Sequence, residues 1–152
     1  MIEAHIFREN EKGIEFLLLK RSNSDIYPGV WQMVTGSVIR GEKGYEAVIR
    51  EIKEETGQSP EKLWVVPNVN SFYSKKRDHI CMVPVFAALV KNNTEIKISG
   101  EHTEFKWVDK DTALKLLAWV GQRKSVEIIY EYFTNEMNFL NFEEIELRKL
   151  NK

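Results

Sequence analysis

At 152 residues, with 43% apolar and 30% charged residues, the chain has the size and balance of a single globular domain that buries a real core. A net charge of −1 excludes the global basic field that grips a nucleic-acid polymer, while a free nucleotide stays accessible if a bound cation supplies the positive charge. The lone Cys81 excludes an internal disulfide framework. The longest apolar run, Ile80 to Val90, is interrupted by Pro84 and too short for a bilayer, and MIEAHIFREN lacks a signal-peptide pattern, so a cytoplasmic setting is expected.

Taken in order, Ile2 to Phe7 mixes apolar residues with Glu3 and His5 and predicts a short half-buried strand, with His5 structural and without an evident partner. A polar turn ending at Gly13 leads to a more buried strand, Ile14 to Leu19, so the two form a candidate hairpin. Lys20 and Arg21 end that strand. A basic pair there is either plain strand-end charge or a phosphate contact, since arginine matches phosphate oxygens in a bidentate way. Ser22 to Gly29 is a loop with turn chemistry at Pro28-Gly29. Val30 to Val34 predicts a short strand running into Thr35-Gly36.

The stretch Gly36 to Gln58 carries the chemistry. On a helical wheel Glu51, Glu54 and Glu55 fall within about 100° of arc, while Tyr45, Val48, Ile49, Ile52 and Thr56 form a separate, mostly apolar arc. Thr56-Gly57 is a natural stop, with Pro60 just beyond. Taken alone, three glutamates on a helix describe a solvated acidic face. Held together, they repel and need a counter-charge, either basic side chains or a bound cation.

Beyond the helix, Leu63 to Val66 and Val69 to Tyr73 read as extended segments broken by Pro67. Lys75-Lys-Arg-Asp78 reads as a polar turn. His79 to Val90 predicts a central strand, with a bulge or edge position at Pro84. Glu95 to Ile98 alternates strictly, as in a half-exposed strand, and Glu104 to Val108 predicts another. Asp109 is a candidate cap for a helix over Thr112 to Trp119, and Gln122 to Phe133 has helical apolar spacing. Asn135 to Lys152, with Met137, Phe139, Leu140, Phe142 and Ile145, is too apolar for a free tail and is expected to pack on the body or on a second subunit. Strands, one helix, more strands and then helices give an α/β fold with a mixed sheet covered on both faces.

Gly36, Glu42 and the run Arg50-Glu51-Ile52-Lys53-Glu54-Glu55-Thr56-Gly57 resemble the signature of the Nudix hydrolase family, the loop–helix–loop Nudix box. One position departs: Gln58 stands where the family usually has an aliphatic residue. The resemblance implies a single Nudix domain over residues 1–152, an α/β/α sandwich with a central mixed sheet. It implies Mg²⁺ (or Mn²⁺) ligation by Glu51 and Glu55, with Glu54 in the same cluster and Gly36 letting the backbone approach the metal. It also implies that Arg50 orients a box glutamate by an ion pair and that Glu42 supports the loop or ligates the metal indirectly. A further carboxylate often comes from outside the box, with Glu101 and Glu104 as candidates and Asp78 a weaker one.

A narrower likeness adds to this. Trp31-Gln-Met-Val-Thr-Gly-Ser-Val38, Glu101-His102 and Phe105-Lys-Trp107 look like the dihydroneopterin triphosphate pyrophosphatase branch, also described as dATP pyrophosphohydrolase. By this match Glu101 is the extra metal ligand or base, and Arg21, Thr35 and His102 contact substrate. Tyr73 is a candidate to stack on a base or pterin. The implied reaction is Mg²⁺-dependent cleavage of a nucleoside or pterin triphosphate to monophosphate and pyrophosphate, by a monomer or homodimer with no nucleic-acid polymer or membrane partner. The alternatives are a dinucleoside polyphosphate or nucleotide-sugar hydrolase of the family, or a Nudix domain that only binds a nucleotide as a sensor.

Overall fold

Phe16, Leu17, Leu18 and Leu19 are all buried, so consecutive residues of one strand face opposite sides of a sheet that is covered on both. The structure, a computed structural model, describes residues 1–135 and 141–150. The strands are β1 (Ile2–Asn10), β2 (Gly13–Arg21), β3 (Trp31–Gln32), β4 (Val34–Gly36), β5 (Lys62–Ser74), β6 (His79–Leu89), β7 (His102–Val108) and β8 (Glu143–Ile145). The helices are α1 (Gly44–Thr56), α2 (Lys110–Leu116) and α3 (Val120–Thr134), with a 3-10 turn at Leu147–Lys149.

The strand order is β3-β2-β1-β6-β5-β8, with β4 also on β1 and β7 also on β2. The β1–β6 pair is parallel and every other pair antiparallel, so the sheet is mixed. The register positions the site. β1 and β2 pair only from Phe7↔Phe16 to Asn10↔Gly13. Away from that end they part, and β3 and β4 fill the opening, β3 on β2 and β4 on β1. Thr35 and Gly36 therefore sit where the sheet splits.

One face of the sheet packs on α1 through Ala47, Val48 and Ile52, against Ile2, Ala4, Leu17, Leu19, Phe86 and Ala88. The other packs on α2 and α3 through Ala113, Val126 and Ile129, against Phe7, Phe16, Leu18, Val85 and Ala87. This is the expected three-layer α/β/α arrangement. Burying a side chain such as Ile52 fully contributes about 1.5–3 kcal/mol. Gly57 ends α1 in the left-handed conformation, φ 74°, and its N–H bonds Lys53 O.

Several sequence expectations change. Ile2 to Phe7 is fully buried rather than half-buried, and His5 has a partner, its Nε2 lying 2.6 Å from Glu3 Oε1. Asn70 Nδ2 donates to both Glu3 oxygens at 3.0 Å, so the buried Glu3 carboxylate is satisfied within the fold, while His5 Nδ1 has no hydrogen-bond partner among the described residues. The two segments around Pro67 are one strand, β5, with an irregularity between Val66 and Val69 opposite Pro84–Val85 of β6. Val30 to Val34 is not one strand but the two short strands β3 and β4. Glu95 to Ile98 is not a strand. Its backbone instead serves the end of α1, with Lys97 N–H bonding Thr56 O at 2.9 Å and Ser99 N–H bonding Glu55 O at 3.2 Å. Asp109 caps α2 as expected, accepting from Thr112 N–H at 2.8 Å, but the helix runs Lys110–Leu116 and stops before Trp119.

Of the C-terminal segment, Met137, Phe139 and Leu140 lie outside the described residues. The part that follows packs on the body: Phe142 stacks on Tyr132 with ring centroids 3.7 Å apart, and β8 pairs with β5. Among the described residues, no helix is long and apolar enough to cross a membrane.

Candidate active site

The site is assembled from four elements. The C-terminal half of α1 supplies Arg50, Glu51, Glu54 and Glu55. β4 supplies Thr35 and Gly36, the end of β2 supplies Arg21, and Glu101 and His102 come from the turn into β7. Between them lies a cleft of about 340 Å3 lined by Arg21, Gln32, Thr35, Glu55, Glu101 and His102, with Ser22, Ser24 and Asp25 along one rim. A register shift in the β2–β7 pairing falls between Lys20 and Arg21, and such a bulge re-aims the side chain that follows it.

Arg50 is the hub of the helix side. Its Nε and Nη2 donate to the two oxygens of Glu42 at 2.8 and 3.0 Å, a bidentate pair. Its Nη1 donates to Glu51 Oε1 at 2.7 Å and to Glu54 Oε2 at 3.3 Å, and Nη2 also donates to Ser37 O at 2.9 Å. The Arg50 hydrogen bond holds the Glu42 carboxyl below the usual range, and Glu42 in turn accepts the Ile39 N–H. One guanidinium thus ties the loop before α1 to the acidic face of α1.

Glu55 is different. Its side chain is buried, Oε2 has no hydrogen-bond partner, and the nearest cationic candidate is His102 Nε2 at 3.9 Å. Burial pushes the Glu55 carboxyl up to about 9. The negative charges of Glu51 and Glu101 add to that, and Arg21 opposes it. Burial, with Arg21 nearby, holds His102 below the usual histidine range, so the imidazole does not neutralise Glu55 near pH 7. Gly36 lies against the same face: a Cβ there would stand 2.2 Å from Glu51 Cδ.

These residues fit a hard divalent cation in donor type and in charge. The oxygens belong to carboxyl groups, one of them is buried and unpaired, and the negative charges of Glu51 and Glu101 bear on it. They are not pre-assembled around one point: among the described residues, no three acidic, histidine or cysteine groups converge on a single ion position. The reason is visible, since Arg50 holds Glu51 and the Glu54 side chain is 58% exposed.

A sequence model of the NUDIX domain matches residues 2–127. The chain belongs to the Nudix hydrolase family. The asymmetrical bis(5'-nucleosyl)-tetraphosphatase of Caenorhabditis elegans is 33% identical over 113 residues, 73% of this chain and 79% of that protein. The octanoyltransferase of Myxococcus xanthus is 33% identical over 106 residues, 65% of this chain; the match spans only 28% of that protein's length. Among solved structures, the dihydroneopterin triphosphate pyrophosphohydrolase of E. coli superposes with a TM-score of 0.73 at 25% identity, covering 86% of this chain and 94% of that one. Nudix hydrolases generally use a divalent metal, typically Mg²⁺.

Of the residues singled out in the sequence, the fold brings Arg21, Thr35, Glu55, Glu101 and His102 into one cleft, with Arg50, Glu51 and Gly36 beside it. Glu104 is not among them; it pairs with Lys20 at 2.7 Å on an exposed surface. Tyr73 does not line the cleft either. It is exposed on the β5–β6 ribbon, and its hydroxyl donates to Asp78 at 2.8 Å. Sequence reasoning missed Gln32 and Asp25. Gln32 Oε1 accepts from Arg21 Nη1 at 3.2 Å, and Asp25 pairs with Arg21 Nη2 at 2.7 Å. The polar run Ser22-Asn-Ser-Asp25 next to a basic strand end was the available signal.

Proposed function

We propose that this Nudix hydrolase is a pyrophosphohydrolase of a nucleoside triphosphate or related triphosphate, of the dATP or dihydroneopterin triphosphate type, releasing a monophosphate and pyrophosphate. The observation that carries the reading is Glu55: a buried, unpaired carboxyl among Glu51 and Glu101, opening on a cleft that also holds Arg21. In water a phosphoanhydride resists attack because its anionic oxygens repel the nucleophile. Glu51, Glu55 and Glu101, with Glu54 alongside, would hold Mg²⁺ (or Mn²⁺), which would neutralise phosphate oxygens and make a water more acidic.

The chain's own residues do the rest. Arg21 and Thr35 hold the phosphate tail, and His102, neutral near pH 7, donates or accepts a hydrogen bond at the cleft wall. Arg50 aims Glu51. One carboxylate of the Glu51, Glu55 and Glu101 set, the one the cation leaves free, removes the proton from the attacking water. The likeness to the E. coli dihydroneopterin triphosphate enzyme, and the Glu101-His102 motif, support a triphosphate substrate.

A second reading has one observation in its favour: the C. elegans tetraphosphatase is more similar in sequence, at 33%. The test is a product assay with Mg²⁺ across dATP, other nucleoside triphosphates, dihydroneopterin triphosphate, a diadenosine polyphosphate and ADP-ribose. Monophosphate and pyrophosphate from a triphosphate are expected. Preference for the diadenosine compound moves the chain to the second reading. Nucleotide binding without hydrolysis of any of them overturns both readings.

A further inference from the structure

The loop between β2 and β3 does more than close one side of the cleft. Ser24 and Asp25 line the cleft, and two residues further on, within about 7 Å of chain, Tyr27 turns its ring to solvent. Tyr27 is 59% exposed and packs edge-on against Trp119, itself 38% exposed, with centroids 5.0 Å apart and planes at 81°. Ile26 and Val120 are exposed beside them in sequence, so an apolar, aromatic patch borders the polar cleft.

Three features make this patch a built surface. Tyr27 has φ 57°, a conformation a bulky side chain rarely adopts and one that costs free energy. The loop is held there by Arg21, which donates through Nε to Ile26 O at 2.6 Å, pairs with Asp25 and accepts the Gly29 N–H at 3.0 Å. On the other side Arg123 Nη1 holds Leu117 O and Ala118 O at 2.7 and 2.9 Å, fixing the backbone that presents Trp119. Both rings are displayed from tied backbone, which lowers the ordering cost of binding. The guanidinium facing the phosphate cleft is also the group that shapes the aromatic loop.

We propose that Tyr27 and Trp119 form the platform for the flat heteroaromatic ring of the substrate, while its phosphate tail lies in the Arg21 cleft. This rests on the proposed triphosphate hydrolysis and adds the element that selects a ring-bearing triphosphate over a ringless one. A purine and a pterin present the same stackable face, so both ring types enter the test.

The test compares kcat/KM for dATP and for dihydroneopterin triphosphate with that for inorganic tripolyphosphate. Tyr27→Leu and Trp119→Leu are each expected to lower the ring-to-ringless ratio about tenfold, the scale of one lost stacking contact, and Tyr27→Phe to keep it. The ring type whose ratio falls more identifies the ring. A binding arm needs no turnover. Wild-type tryptophan fluorescence should quench on adding the α,β-methylene analogue of dATP with Mg²⁺ but not with tripolyphosphate, and Trp119→Phe should abolish the change. Unchanged ratios in both leucine variants overturn the platform, as does no quench at saturating analogue. Leucine variants that change oligomeric state with the ratio intact make the patch a subunit interface, which also overturns it. Quenching by the analogue in a wild type that hydrolyses nothing would sink the hydrolytic reading and leave the platform standing.

Discussion

Gly36 and Glu51 approach so closely that position 36 has no room for a side chain: a Cβ would lie 2.2 Å from Glu51 Cδ and 2.4 Å from its Oε1. The contact joins the split in the sheet to the acidic face of α1. Gly36→Ala must push the Glu51 carboxyl aside. Because a displacement of about 1 Å at a catalytic group costs roughly 100-fold, kcat should fall by about that factor. Thermal melting should move far less than kcat, since position 36 contributes no side chain to the core. Steady-state kinetics beside a melting curve separates the two, and near-normal kcat would detach Glu51 from the chemistry.

Glu55 predicts a pH dependence with a definite sign. Its folded-state pKa, about 9, is above the ordinary value of 4.5. The stability tied to its protonation is therefore fully present below about pH 4.5 and is lost as pH rises through about 9. Without divalent cation, Glu55→Gln should melt higher than wild type at pH 8, and the gap should close toward pH 4.5. Added Mg²⁺ should raise the wild-type melting temperature at pH 8 by about 2–4 °C for each kcal/mol of binding, with a much smaller rise in the variant. A cation response of equal size in both proteins would place the ion elsewhere.

Arg50 binds Glu42 through both carboxylate oxygens while also reaching Glu51 and Ser37 O. Lysine cannot reproduce that fork. Arg50→Lys should therefore lower kcat by about 10- to 100-fold while KM changes less. Retention of full kcat would show that the ion pair does not aim Glu51 in turnover.

The buried Glu3 is a structural group away from the cleft lining. Burial pushes its carboxyl up, but hydrogen bonds from His5, Asn70 and Gln122 outweigh that and hold it below the usual range. Its contribution is present above the ordinary carboxylate pKa and is lost as pH falls below it. Glu3→Ala leaves His5 and Asn70 without their acceptor and should destabilise by about 3 kcal/mol, seen as a lower denaturant midpoint at pH 7.

The helix over the Nudix box was legible because two independent signals agree there: apolar residues at helical spacing, and Gly57 at a left-handed stop. The strand order was legible only in outline, since the split between β1 and β2 depends on a register that no periodicity states. Glu95 to Ile98 misled because its alternation is real: Ile96 is buried and Glu95 exposed. The backbone partners, however, are carbonyls at the end of α1 rather than a neighbouring strand. Asp25 and Tyr27 were hidden for another reason. A nine-residue loop, Ser22 to Val30, can close in many ways, and only the fold shows it wrapped around Arg21. The depth of Glu55 was likewise unreadable, because the wheel put it beside Glu51 and Glu54 without saying that β7 and its preceding turn would cover it.

The most direct measurement is product analysis of dATP incubated with Mg²⁺ and either wild-type protein or Glu55→Gln. Hydrolysis as proposed gives dAMP and pyrophosphate from the wild type, with turnover at least about 100-fold lower in the variant. Release of dADP and orthophosphate, or undiminished turnover by Glu55→Gln, would contradict it.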